Sequence, residues 1–297
     1  MGKIYLVAES GCDITADLQK QYDIRIAPMH VNFGKETKED GTFPPSDVID
    51  YYNRTKTIPT TSGAMTYDFA NVFDAILEED PNPSVLHIAY SAVTTCSYEC
   101  ARQAAEERPQ MTFVQVDSQM FSYGQYSVII RTAQMLAENP DCSLEEAAAF
   151  AQDLTDHACM CFVPDGFDFL KAGGRVKNAT ALVGELLKIH PMVKMVDGYL
   201  VADKKYRGSM NRVLPAMIRD FIEEYETKRP EIWLGHTPAF SDEHKALAEK
   251  IVRELGFTMI HWIECGSIIT THGGTGCFGL SGFGKNQARE RAADPTK

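Results

Sequence analysis

The sequence has no apolar run that reaches the roughly 18 residues of a membrane span, so membrane insertion is not expected. It has no basic run either. The net charge is −12, from 29 basic and 41 acidic residues, which argues against nucleic acid as a partner, since phosphate neutralisation dominates that binding. None of the eight cysteines forms a Cys-x-x-Cys pair, and no histidine stands at zinc-finger spacing from them. Structural metal and disulfides are therefore not expected, most thiols act as small hydrophobes, and a reducing cytoplasm fits. The strained Gly-x-Ser-x-Gly elbow of a serine hydrolase is missing, as are internal repeats and low-complexity blocks. Residues 1–10 read as a strand rather than a signal peptide, so a soluble cytoplasmic protein is expected.

What is present is 297 residues with 44% hydrophobic content, a length natural for two α/β domains. Short apolar segments recur in the first half, each followed by a loop carrying hydroxyls and then a helical pattern. Ile4–Ala8 leads to Glu9-Ser10-Gly11-Cys12-Asp13 and a helix through Tyr22. Val85–Ala89 leads to Ser91-Ala92-Val93-Thr94-Thr95 and a helix to Glu107. Phe113–Val116 leads to Asp117-Ser118 and a helix over 122–139. Strands alternating with helices imply a parallel sheet whose ligands sit at the carboxyl ends of the strands. Between these units, Ile24–Phe33 reads as one extended segment and the residues up to Phe43 as a loop. Helices are expected from Pro44-Pro45 to Arg54 and from Thr66 to Glu79, where Phe69, Val72, Phe73 and Ile76 keep the 3.6-residue period. Ser143-Leu144-Glu145-Glu146 has the form of a capping box opening a helix to about Met160.

The second half turns on the stretch from Val163 to Arg212. A short helix there is stopped by Gly173-Gly174, and a second, Ala179 to Lys188, is stopped by Pro191. A hairpin follows with Asp197-Gly198 at its turn and apolar residues alternating on both strands. Next come a helix over 211–225, a strand over 232–237, a Ser241-capped helix to Leu255 and a strand over 258–264. The glycine-rich run Thr271-His272-Gly273-Gly274-Thr275-Gly276 reads as a strand, and residues from Lys285 onward as a frayed polar tail. Gly274 to Gly279 satisfies the dinucleotide pattern Gly-x-Gly-x-x-Gly only formally, because no helix of useful length follows.

Two hydroxyl clusters could carry chemistry: Thr60-Thr61-Ser62 and Ser91 with Thr94-Thr95, each just before a helix. Helix amino ends bind anions, carboxylates included, but any one of these hydroxyls read alone is more readily an ordinary N-cap. His272, set among glycines, could add a hydrogen bond. Arg175 and Arg207 flank tight turns, where facing an anion and lying on a solvated surface are equally good readings. A hydrolase with Cys12 or Ser91 as nucleophile is the competing class, although nothing in the spacing demands a dyad of Cys12 and His272.

These same residues resemble the DegV family. The match comprises the leucine-containing helix closed by Gly-Gly-Arg, Lys-Ile-x-Pro, the Asp-Gly hairpin and Lys-x-Arg-Gly. It also comprises Glu9-Ser10-x-x-Asp13 for the family's Asp-Ser-x-x-Asp, Thr60-Thr61-Ser62, Ser91 with Tyr98, Val116-Asp117-Ser118 and Thr271-His272. The departures are Glu9 for Asp, Gly63-Ala64-Met65 for Gln-Pro-Ser, and Ala92 and Val93 in the loop after Ser91, which remove a hydroxyl and a glycine. The resemblance implies two α/β domains, the first with a parallel sheet flanked by helices and the second with a mixed or antiparallel sheet. Their implied extents are residues 1–160 and 161–285, followed by the tail 286–297. It further implies a long-chain fatty acid enclosed between the domains, with no cofactor, no metal and no chemistry of the protein's own. Its carboxylate is expected at Thr61, Ser62, Ser91, Thr94, Thr95, His272 and Gly273. Arg175 and Arg207 are expected on a face offered to a fatty-acid kinase.

Overall fold

The computed structural model describes residues 2–177 and 189–285. The helix expected over Ala179–Lys188 and the tail 286–297 lie outside the described residues. Strands β1 (Ile4–Glu9), β2 (Ile24–Ala27), β6 (Ser84–Ala89) and β7 (Thr112–Asp117) form a parallel sheet in the order β2-β1-β6-β7. β1 and β6 are buried along nearly their whole length, as helices on both faces of a parallel sheet require. Helix α3 (Thr66–Glu79) delivers Phe69, Phe73 and Ile76, all fully buried, from one stripe of its surface.

The extended segment over 24–33 is two strands. After Pro28 the chain leaves the parallel sheet, and β3 (His30–Phe33) pairs with β4 (Glu36–Glu39) and β5 (Thr60–Ser62) in a small antiparallel sheet. This side sheet holds the Thr60-Thr61-Ser62 motif in extended form.

Helix α6 (Leu144–His157) opens with the expected reciprocal cap between Ser143 and Glu146 but ends three residues before Met160. The chain enters the second sheet at β8 (Ala158–Val163). Every residue of β8 is buried because the strand is covered on both faces. Ala158, Met160 and Phe162 join the core continuous with the first sheet, while Cys159, Cys161 and Val163 face the core under the later helices. Such an unbroken apolar run does not distinguish a strand from a buried helix end.

The second sheet is mixed, in the order β13-β12-β14-β8-β10-β11-β9. The further strands are β9 (Val176–Lys177), β10 (Ile189–Val196), β11 (Tyr199–Arg207), β12 (Glu231–His236), β13 (Met259–Glu264) and β14 (Phe278–Phe283). The β10–β11 hairpin turns at Asp197 (φ 51°) and Gly198 (φ 77°), the pair of positive angles that favours Asp-Gly. Helix α5 (Ser122–Glu138) packs against β6 of the first sheet and β8, β12 and β14 of the second. Its residues 122–130 are all buried because both sides face protein.

His272 does not lie on a strand. Ser267–Gly273 forms a short helix, α10, after α7 (Asp168–Gly173), α8 (Met210–Tyr225) and α9 (Asp242–Glu254). The strand comes later, at β14.

Candidate site between the two sheets

The carboxyl ends of β1, β6 and β7 open into loops that face the second sheet, and a narrow cavity of about 820 Å³, mouth included, lies there. Met29, Phe121, Phe162, Leu170, Val176, Leu200, Ile268 and Ile269 give it apolar walls. Thr61, Thr94, Thr95, Arg175 and His272 provide a polar group along the same lining. On another part of the wall, Tyr123 lies across Gly235 and Gly279, neighbours on β12 and β14. A Cβ at Gly235 would come within 1.9 Å of that ring, so only glycine admits Tyr123 there.

Thr61 Oγ1 is 2.9 Å from His272 Nε2, while His272 Nδ1 is buried against Gly173 with no hydrogen-bond partner among the described residues. A proton on Nδ1 would have no acceptor, so the pattern assigns it to Nε2. His272 then donates to Thr61, and the Thr61 hydroxyl hydrogen is free for a ligand. Burial, and secondly the Arg175 charge, push the His272 pKa down to about 4. The imidazole is therefore neutral at physiological pH. Arg175 itself is exposed and donates to the Gly173 carbonyl at 2.8 Å.

The other candidate residues divide. Thr95 stands just ahead of helix α4 (Ser97–Glu106), whose N-cap is Cys96: its Oγ1 accepts from the Ser97 amide at 3.3 Å and meets Ser97 Oγ at 3.0 Å. Thr94 donates to the Ser91 carbonyl at 2.9 Å. Both still line the cavity, as does Gly273. Ser62 and Ser91 do not. Ser62 is half-buried on β5 opposite His30. Ser91 is fully buried and donates to the Gly198 carbonyl at 2.7 Å, tying the loop after β6 to the hairpin tip of the second sheet. Arg207 is exposed at the end of β11 and lies outside the lining.

Further residues around the site were not expected at the head group from the sequence. Glu9 is fully buried and accepts from the Tyr90 amide (2.9 Å), Gln125 Nε2 (3.0 Å) and His87 Nε2 (3.2 Å). Burial pushes its carboxyl up, but His87 and these bonds outweigh that, and the pKa is lowered. Glu9 thereby ties β1 to β6 and α5 beneath the cavity. Asp13 and Asp40 accept from the backbone amides of Gly266 (2.8 Å) and Ser267 (3.1 Å). Asp13 belongs to a motif visible in the sequence; Asp40 does not. Cys12 is fully buried and burial pushes its thiol well up.

A family model described as "Uncharacterised protein, DegV family" matches residues 3–285. The chain belongs to the DegV family. A DegV domain-containing protein of Clostridium perfringens is 28% identical over 222 residues, covering 74% of this chain and 78% of the relative. One from Staphylococcus aureus is 25% identical over 295 residues, covering 95% and 98%. Among solved structures, a DegV family protein from Thermus thermophilus, described by its fatty-acid binding, superposes with a TM-score of 0.82. It is 27% identical, and the match covers 95% of this chain and 100% of that one. A stearic acid-binding protein from Eubacterium ventriosum has the same fold, with a TM-score of 0.82 at 22% identity over 96% and 100% of the two chains. The DegV fold of two α/β domains is thus the fold of this chain.

Proposed function

We propose that this DegV protein is a cytoplasmic carrier that encloses a long-chain fatty acid between its two sheets and presents the carboxylate to a fatty-acid kinase. The observation that carries the reading is the pairing of Thr61 with a neutral, buried His272 in a cavity whose walls are largely apolar. A carboxylate taken out of water needs donors, because an unpaired buried charge is costly. The Thr61 hydroxyl, oriented by His272, and the Arg175 guanidinium are such donors. Apolar walls suit the acyl chain, at about 0.8 kcal/mol per buried methylene. The relatives whose descriptions name fatty-acid binding support the same ligand class.

The hydrolase reading has less to support it. His272 is paired with Thr61 rather than with Cys12 or Ser91, the Ser91 hydroxyl is engaged by Gly198, and the buried Cys12 thiol is held in its unreactive protonated form. Arg207, exposed and away from the cavity, suits the kinase face. Mass spectrometry of the purified, denatured protein is the test. A carrier releases a fatty acid in about stoichiometric amount, whereas no lipid together with turnover of an ester substrate would favour the hydrolase. For the kinase step, a purified fatty-acid kinase with ATP should form acyl phosphate on the loaded protein and none without it.

A further inference from the structure

Helix α10 is held to the first domain at both ends. At its carboxyl end His272 meets Thr61 of β5. At its amino end the Gly266 amide donates to Asp13 and the Ser267 amide to Asp40. Asp13 follows β1 and is joined by the Ser122 hydroxyl of α5; Asp40 follows β4, in the same side sheet as Thr61. Seven residues including Ile268-Ile269-Thr270-Thr271 make a weak helix on their own, so its place is set by what grips its ends. Carboxyl oxygens at the amino end accept from amides that the helix itself leaves unpaired. Gly266 leaves room for both: a Cβ there would stand 2.9 Å from Asp13 Oδ1 and 3.4 Å from Asp40 Oδ1. Neither carboxylate lines the cavity, whereas Ile268, Ile269, His272 and Gly273 of the helix do.

We propose that Asp13 and Asp40 are positioning residues for head-group recognition: gripping the amino end of α10, they set where His272 stands relative to Thr61. This rests on the fatty-acid reading of the cavity. It gives the second acidic residue of the opening Glu-Ser-x-x-Asp motif a role at a distance from the ligand.

The test compares the full-length parent with Asp40→Asn, Asp13→Asn and Gly266→Ala. The last keeps both carboxylates and wedges the grip, so it decides the matter if a carboxylate variant fails to fold. Delipidated proteins are titrated with stearate and with octadecan-1-ol, which shares the chain but lacks the charge. The ring nitrogens of His272 are followed by nitrogen-15 NMR, with His272→Gln identifying the signal. Asp40→Asn and Gly266→Ala should lose about tenfold in stearate affinity, the scale of one hydrogen bond to a charged group, keep their affinity for the alcohol and shift the His272 signal. Equal losses for both probes with an unmoved His272 signal would overturn the proposal, leaving Asp13 and Asp40 as ordinary stabilising caps. If the parent binds neither probe, the fatty-acid reading fails, and the His272 signal alone decides whether the grip sets the ring.

Discussion

Replacing Thr61 by Val keeps the shape of the side chain and removes one hydroxyl, which makes it the sharpest probe of the head group. Two losses follow from the geometry. The ligand carboxylate loses a donor, a hydrogen bond to a charged group worth about 1.5–3 kcal/mol, or roughly 10- to 150-fold in Kd. Thr61 is half-buried and Arg175 stands on the same lining, so the lower part of that range is expected. The second loss falls on the empty protein: His272 Nε2 loses its partner while Nδ1 already has none, at about 1–3 kcal/mol of stability. Thr61→Ser restores the hydroxyl and should recover both. Ser118→Ala is the control, since among the described residues its hydroxyl bonds within its own turn, to Met120, and it should lower stability without changing affinity. Calorimetry or displacement of a fluorescent fatty acid, with a thermal melt on each delipidated variant, separates the two terms. Parental affinity in Thr61→Val would remove Thr61 from the site and end the argument that His272 directs its hydrogen to the ligand.

Arg175→Ala should weaken fatty-acid affinity in the same assay, whereas Arg207→Ala should keep full lipid content and lower only acyl-phosphate formation with the kinase; loss of lipid in Arg207→Ala would place that residue at the ligand. Gly235→Ala should lower stability by about 1–3 kcal/mol through overpacking and reduce ligand capacity, because the new methyl displaces Tyr123. Tyr123→Ala should relieve that cost in the double mutant, and simple additivity of the two changes would count against the clash. Burial, outweighing the lowering hydrogen bonds from Ser122 and Gly266 and reinforced by Asp40, raises the Asp13 pKa from 3.8 to about 8. Its neutral form is thus favoured by folding, and the associated stability is complete below about pH 4 and lost as pH rises towards about 8. Around it stand Asp40, Cys265, Glu9, Cys12, Tyr90 and Tyr123. The melting temperature of the parent relative to Asp13→Asn should fall between about pH 5 and about pH 8, and a flat difference would contradict the assigned environment.

The parallel sheet was legible because each strand is followed by a polar loop and a periodic helix, a local pattern that survives without knowledge of the fold. The hairpin was legible because Asp-Gly suits two positive φ angles, and the α6 start because Ser143 and Glu146 cap each other within one turn. The α6 end was not, since Cys159 and Met160 are apolar on both faces of β8 and equally suit a buried helix. The strand expected over 271–276, where the helix 267–273 ends, fails for a different reason. Ile-Ile-Thr-Thr favours a strand by propensity, yet the segment is helical, its amino end met by two carboxyl groups more than 200 positions away. Thr61 and His272 could be named from motifs, but their contact spans 211 positions. That Ser91 is engaged by the hairpin tip depends on the docking of the two sheets, which no local pattern encodes.

The placement of β14 has a consequence for how the protein is made. It is synthesised after every other strand of the described residues, yet it lies inside the second sheet, between β12 and β8. Until it inserts, the β12–β13 pair has no hydrogen-bonded link to β8, β10 and β11. Helix α10, with His272, immediately precedes it in the chain. During translation the first sheet can settle early, as leading domains do, while the cavity stays open on one side until this last strand closes it. On the proposed reading, ligand capture follows the insertion of β14, and a nascent chain arrested before residue 278 should display the apolar cavity walls to chaperones rather than to lipid.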